Sequence, residues 1–217
     1  MRGAVAAGNR HSAEAGAWAL AEGGTAIDAV VAAALAGFVA EGPLTGPAAG
    51  GFLLLREPGC DAEVVDCFFA VPSRPPATMD EVEIDFADAS TQVFFVGEAS
   101  VAVPGLVHGL WDAHRRHGRL SWRSLVEPAI ELAARGVEPT GPQRFLHEIL
   151  VPILQREEGG RRVYGDPDRV ETGDLVPALE RIRDEGADAL AELIPALADD
   201  LALYAPIRRL PHTFDFA

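Results

Sequence analysis

Lysine is absent from this 217-residue sequence, and all 18 basic side chains are arginine. That excludes, within these residues, a Schiff-base lysine, a pyridoxal-phosphate anchor and the lysine of a phosphate loop. Cysteine is nearly absent: Cys60 and Cys67 could form one disulfide at most. No secretory leader is expected, since Met1-Arg2-Gly3 runs into a short Ala/Val stretch without a cleavage pattern. The expectation is therefore a cytoplasmic protein with two reduced thiols. Long apolar runs are missing as well. The longest, Ala29 to Ala40, is too short to span a bilayer and predicts a buried helix, so no membrane association is expected. Positive charge is scarce, with a net charge of −15 and 4 basic against 14 acidic residues in the first hundred positions. Such an excess repels phosphate backbones, and nucleic acid is not an expected partner.

What is present suits a folded domain. Hydrophobic residues make up 48% and charged residues 24%, which is ordinary for a globular chain, and this length supports one core. Two helices open the sequence. Ser12 is the expected N-cap of the first, with Glu14 in its opening turn and Gly23-Gly24 at its end. Thr25 and Asp28 have capping-box spacing for the second, over Ala26 to Val39, which is apolar nearly all round and must be covered on most sides. A small-residue loop, Gly42 to Gly51, leads to strands at Phe52–Arg56 and Glu63–Phe69, separated by the turn Glu57-Pro58-Gly59. A proline-rich stretch, Val71 to Met79, interrupts before strands at Gln92–Val96 and Ser100–Val103. Helices are expected at Leu106–His117, Trp122–Arg135 with a kink at Pro128, Gln143–Leu154, Leu175–Glu185 and Ala187–Leu201. Helices, then strands, then helices predict an α+β layered architecture rather than alternating βαβ units.

Candidate chemistry is sparse. The loop Gly42–Gly51 runs from helix into strand, the reverse of a phosphate loop, so close backbone packing is its expected role. Asp112, His114 and His117 share a helix, but His-x-x-His is not the i, i+4 zinc spacing, and Arg115 and Arg116 lie between the imidazoles. A basic last turn complementing the helix dipole is the simpler account, and no metal or other cofactor is expected. The pairs Glu157-Glu158 and Asp199-Asp200 read as solvated surface. No G-x-S-x-G elbow occurs, and no residue is assigned a catalytic role.

Five segments resemble the gamma-glutamyltranspeptidase family. They are GAVAAGNRHSAEAG (3–16), EGGTAIDAVVAAAL (22–35), GPAAGGFLLL (46–55), VAVPGLVHGL (101–110) and HGRLSWRSLVEPAIELAARG (117–136). The resemblance implies an N-terminal-nucleophile hydrolase with an αββα sandwich. Residues 1–217 would then be a single incomplete domain, the front of the large-subunit half. It further implies a partner, a small-subunit half that begins with the catalytic threonine. That threonine attacks a γ-glutamyl amide such as glutathione, and its α-amino group serves as base. Water or an amino acid then releases the acyl group.

Two departures from the family pattern matter. Thr213 superficially matches the nucleophile segment, but only four residues follow it, too few for a supporting strand, so the nucleophile is expected outside these residues. In the family an arginine after the second strand grips the donor's α-carboxylate, and Phe68 stands at that position here. Arg74, in the next loop, is the alternative carboxylate contact. Phe68 and Arg74 are thus the candidate substrate-binding residues. The rival expectation is a non-catalytic remnant or an assembly partner of a complete homologue.

Overall fold

The computed structural model describes residues 3–74, 78–86 and 90–209. Helix α1 (Arg10–Ala21) is capped by Asn9, not Ser12: Asn9 is extended, and its side chain accepts the His11 N–H at 2.8 Å. Ser12 instead lies buried inside the helix, and Glu14 pairs with Arg10 at 3.1 Å. Helix α2 (Ala26–Ala40) begins with the expected capping box of Thr25 and Asp28, and it packs against α1.

Asp28 does more than cap. Its carboxylate is fully buried and accepts the backbone N–H groups of Thr25 at 2.7 Å and of Arg119 at 3.0 and 3.1 Å. A carboxylate in an apolar interior survives only when such donors surround it. Here they tie the start of α2 to the turn between α3 (Leu106–His117) and α4 (Trp122–Arg135). Helix α4 runs on through Pro128 and buries Leu125, Val126, Ala129 and Ala133. Its Trp122 indole N–H donates to the Ile182 carbonyl at 2.8 Å, which locks it to the later helix α7 (Val176–Glu185).

Strands β1 (Gly51–Leu55) and β2 (Glu63–Cys67) pair antiparallel, with Leu53 opposite Val65, and β5 (Ile207–Arg209) joins the far edge of β2. Leu53, Val65 and Cys67 face inward onto α3. The approach is close because Gly109 of α3 has no side chain: a Cβ there would lie 2.4 Å from the Cys67 sulfur. A separate hairpin pairs β3 (Asp80–Asp85) with β4 (Thr91–Val96). Helices α5 (Gly141–Leu154), α6 (Glu158–Tyr164), α8 (Ala189–Leu193) and α9 (Ala198–Leu203) complete the described residues.

Several expectations need correction. The second strand stops at Cys67 rather than Phe69. Ser100–Val103 is not a strand: Glu98–Ser100 forms a 3₁₀ turn, and only Val103 bridges Ala70. The single helix expected over Ala187–Leu201 is broken at Ile194-Pro195, because proline lacks a donor and forces its predecessor out of the helical region. Strand β3, helix α6 and strand β5 were not anticipated. Part of the proline-rich stretch (residues 75–77) and Thr213 lie outside the described residues.

Candidate functional site

Just past the end of β2 the chain turns sharply, and the turn is held from three sides. The Phe68 N–H donates to Asp66 Oδ1 at 3.2 Å, and the Tyr204 hydroxyl donates to the Phe68 carbonyl at 2.7 Å. From the third side comes the small-residue loop: a Cβ on Gly50 would lie 2.9 Å from the Phe69 nitrogen. Close backbone packing, the role expected of that loop, is what it performs here. Beyond the turn, Ala70 exchanges two backbone hydrogen bonds with Val103, at 2.9 and 3.1 Å.

The fixed turn presents aromatic rings to solvent. Phe68 stacks on Phe52 with centroids 5.3 Å apart and planes 11° from parallel, and Phe69 meets Phe68 edge-on at 5.0 Å. Phe68 and Phe69 are 48% and 43% exposed, although the backbone beneath them is clamped. The rings form one wall of a groove of about 500 Å³, and Leu203, Tyr204 and Ile207 line it with them. Its charged lining residues are Asp66 and Asp200. Asp66 is paired with Arg209 at 3.4 Å, and Asp200 accepts the Ser73 N–H at 3.2 Å.

Electrostatics follow from that surface. Burial, with help from the nearby Cys67 and Asp66, pushes the Tyr204 phenol up to about 12. Burial, and then Asp66, pushes the Cys67 thiol up to about 11. Both groups stay protonated at neutral pH and act as donors, Cys67 to the Gly51 carbonyl at 3.1 Å. His108, whose ring lies 5.1 Å from Tyr204, is driven down by burial, so the imidazole behind the groove is held neutral.

Of the two expected substrate contacts, Phe68 lies in the groove wall. Arg74 is exposed, outside the lining, and follows Ser73 on the segment that binds Asp200. The residues not anticipated are Phe52, Phe69, Tyr204 and Asp200. Apolar Phe68-Phe69 at a strand end was the available signal for the ring pair. Asp200, expected at the solvated surface, there accepts an exposed hydrogen bond from the Ser73 backbone 127 residues away. The histidines of α3 are engaged separately: His114 Nε2 lies 2.9 Å from the Leu120 carbonyl and His117 Nδ1 2.8 Å from Glu57. Among the described residues no three His, Cys, Asp or Glu side chains converge as a metal site. No helix there is long and apolar enough to cross a membrane.

This combination of helices, sheet and inner apolar layer is the α+β fold of the N-terminal-nucleophile hydrolases. Within that class the chain belongs to the gamma-glutamyltranspeptidase family, whose profile matches residues 12–197. It is 32% identical over 189 residues to the glutathione hydrolase proenzyme of Pseudomonas aeruginosa, which covers 86% of this chain and 33% of that protein. It is also 32% identical over 217 residues to the acylase ACY 1 proenzyme of Pseudomonas sp. (strain SE83), covering 93% of this chain and 38% of that protein. Among solved structures, the gamma-glutamyltranspeptidase from Pseudomonas nitroreducens complexed with L-DON matches with a TM-score of 0.80 at 28% identity. That match covers 95% of this chain and 66% of that one. The chain thus spans about a third of the length of the curated relatives it matches.

Proposed function

We propose that these residues supply the scaffold and the acyl-donor groove of an amide-cleaving acyl transferase of the gamma-glutamyl type. The nucleophile in this reading is a threonine at the start of a small-subunit half, outside the 217 residues. Its hydroxyl adds to the amide carbonyl while its proton passes to the threonine's own α-amino group. The amine leaves with that proton, and an ester-linked acyl-enzyme remains. Water returns the acid, or an amino acid or peptide takes the acyl group to form a new amide.

The observation that carries the reading is the clamped turn at Phe68, at the end of β2, in a chain whose residues 12–197 match the family. Rigid backbone beneath exposed rings is what a binding surface needs, because ordering before binding lowers the cost of binding. Phe68 supports a donor preference different from that of simple γ-glutamyl compounds: a phenyl ring cannot make the bidentate contact by which a guanidinium holds a carboxylate. Arg74 follows Ser73 and stands outside the groove lining, so the lining offers a donor carboxylate no guanidinium in place of that contact. The relative named as an acylase supports acyl-amide cleavage as the general chemistry of this architecture.

The test is to purify the protein from its own cells, together with whatever stays bound, and assay release of nitroaniline from a panel of acyl anilides. Turnover accompanied by a Thr-initiated polypeptide is expected, and the 217 residues alone are expected to give none. A native preparation inactive on every acyl anilide would overturn the reading in favour of a non-catalytic assembly partner. Activity that tracks with the isolated 217 residues would overturn the placement of the nucleophile.

A further inference from the structure

We infer that the groove at the end of β2 receives an uncharged apolar group, aromatic or branched aliphatic, and turns away carboxylates. The inference rests on the proposal above for its place in catalysis, where that group is the acyl part of the donor. It rests on the groove itself for its chemistry.

The first observation is the ring wall. Phe52 and Phe68 stack in near-parallel planes, and Phe69 closes the corner edge-on. Phe52 comes from β1 and the other two from the turn after β2, so the wall joins two segments that the sheet register holds together. Leu203 and Ile207, which are 84% and 53% exposed, line the groove with the rings. An apolar guest would cover large hydrophobic side chains from the rings and from these two residues. The space of about 500 Å³ falls within the range of small-molecule sites, roughly 300–1,000 Å³.

The second observation is rigidity. Loosely held apolar side chains fold back onto a protein surface, but Phe68 is not loosely held. Asp66 holds its N–H and Tyr204 its carbonyl, while the Gly50 backbone packs against the next residue. Removing Tyr204 would free the carbonyl without touching the ring. Tyr204 is therefore a positioning residue for the wall.

The third observation is charge. Among the described residues no arginine lines the groove, and its two charged lining side chains are carboxylates. Asp66 already faces Arg209, which offsets its charge, whereas the Ser73 N–H that Asp200 accepts is uncharged and does not. A guest carboxylate would meet the carboxylate of Asp200 and no cation in the lining, and would lose its hydration without compensation. Apolar contact with the rings is what remains to set the preference.

Binding can be measured without the nucleophile, so this test is independent of amide cleavage. Titrate the native protein with phenylacetamide and, separately, with glutamine, following heat and saturation transfer to ligand protons. Phenylacetamide is expected to bind at least about tenfold tighter than glutamine. Phe68→Arg should weaken phenylacetamide by about tenfold, the upper end of what an aromatic pair contributes, and should bring glutamine binding up. Phe68→Leu, which keeps an apolar side chain and endangers the turn less, should lose only part of the affinity. Tyr204→Phe should weaken phenylacetamide while leaving the order of preference unchanged. Glutamine binding as tight as phenylacetamide would overturn the inference, as would phenylacetamide binding indifferent to Phe68→Arg. Binding of neither probe would overturn it too, and would assign the ring wall to a polypeptide contact. Each of these outcomes leaves the amide-cleavage proposal to stand or fall on its own assay.

Discussion

Two neighbouring residues of β1 meet opposite surroundings. Leu53 is 6% exposed and packs on α3, whereas Leu54, one position later, is 70% exposed on the outer face beside the 60% exposed Phe52. Alternation along a strand explains why they point apart, but not why both sides are apolar. The inner side is sealed by α3, which Gly109 admits to close range, and behind it α2, α4 and α7 make a continuous core. The outer side carries equally greasy residues without such a seal and leads to the ring-walled groove. The difference teaches that apolar character in this chain has two uses. Inward it supplies stability, and outward it supplies a surface for something else.

The largest expected effect comes from breaking the sealed side at its polar node. Asp28→Ala would strand the N–H groups of Thr25 and Arg119 inside the protein and uncouple α2 from the α3–α4 turn. Hydrogen bonds to a charged group contribute about 1.5–3 kcal/mol each, and stranded donors add their own penalty. A loss of roughly 4 kcal/mol is expected from denaturant unfolding. A loss below about 1 kcal/mol would show that water reaches the node. Asp28→Asn, which keeps one acceptor oxygen, should fall between.

The next comparison uses the two leucines themselves. Leu53→Ala leaves a cavity against α3 and should cost about 3 kcal/mol, within the usual range for buried leucines. Leu54→Ala removes a side chain already in water and should change stability by less than about 0.5 kcal/mol. Equal losses, measured by the same unfolding experiment, would mean that the outer face of the protein in solution is covered and not open.

The same division governs what sequence could show. Local signals survived folding. The Thr25–Asp28 capping box, the limits Leu106–His117 between Gly105 and Gly118, and Trp122–Arg135 between Ser121 and Gly136 were all readable from residues a few positions apart. The failures have local causes too. Four of the six residues of β3 are acidic, which suppresses strand propensity, yet β4 pairs with every one of them. Asn9 outcompeted Ser12 because it stands in extended backbone ahead of the first helical turn. The groove was legible only at Phe68, through the family resemblance. Its clamp depends on a tyrosine 136 residues away, a distance that no periodicity or spacing rule spans.

The smallest expected effect concerns the two groups at the boundary between sealed and open sides. Cys67 and Tyr204 are both raised, to about 11 and about 12, chiefly by burial. A raised value means that the folded state holds its proton more tightly than the unfolded chain does. Their contribution is therefore complete below the unfolded values of 9.0 and 10.0 and is lost as pH climbs through the folded ones. Stability should be level up to about pH 9, by this linkage, and should then fall, Cys67 first and Tyr204 after it. Tyr204→Phe separates the two. It gives up the bond to the Phe68 carbonyl, which should cost about 1 kcal/mol near neutrality. It also removes the Tyr204 share of the later alkaline decline and leaves that of Tyr164, whose phenol is likewise pushed up by burial. Cys67→Ala should flatten the earlier part and leave the later one. Unfolding midpoints measured across the alkaline range for the three proteins decide the matter. If Tyr204→Phe declines in parallel with the parent, the phenol is as free in the folded protein as in the unfolded chain. It could not then be holding the Phe68 turn in place, and the rigidity claimed for the ring wall would fall with it.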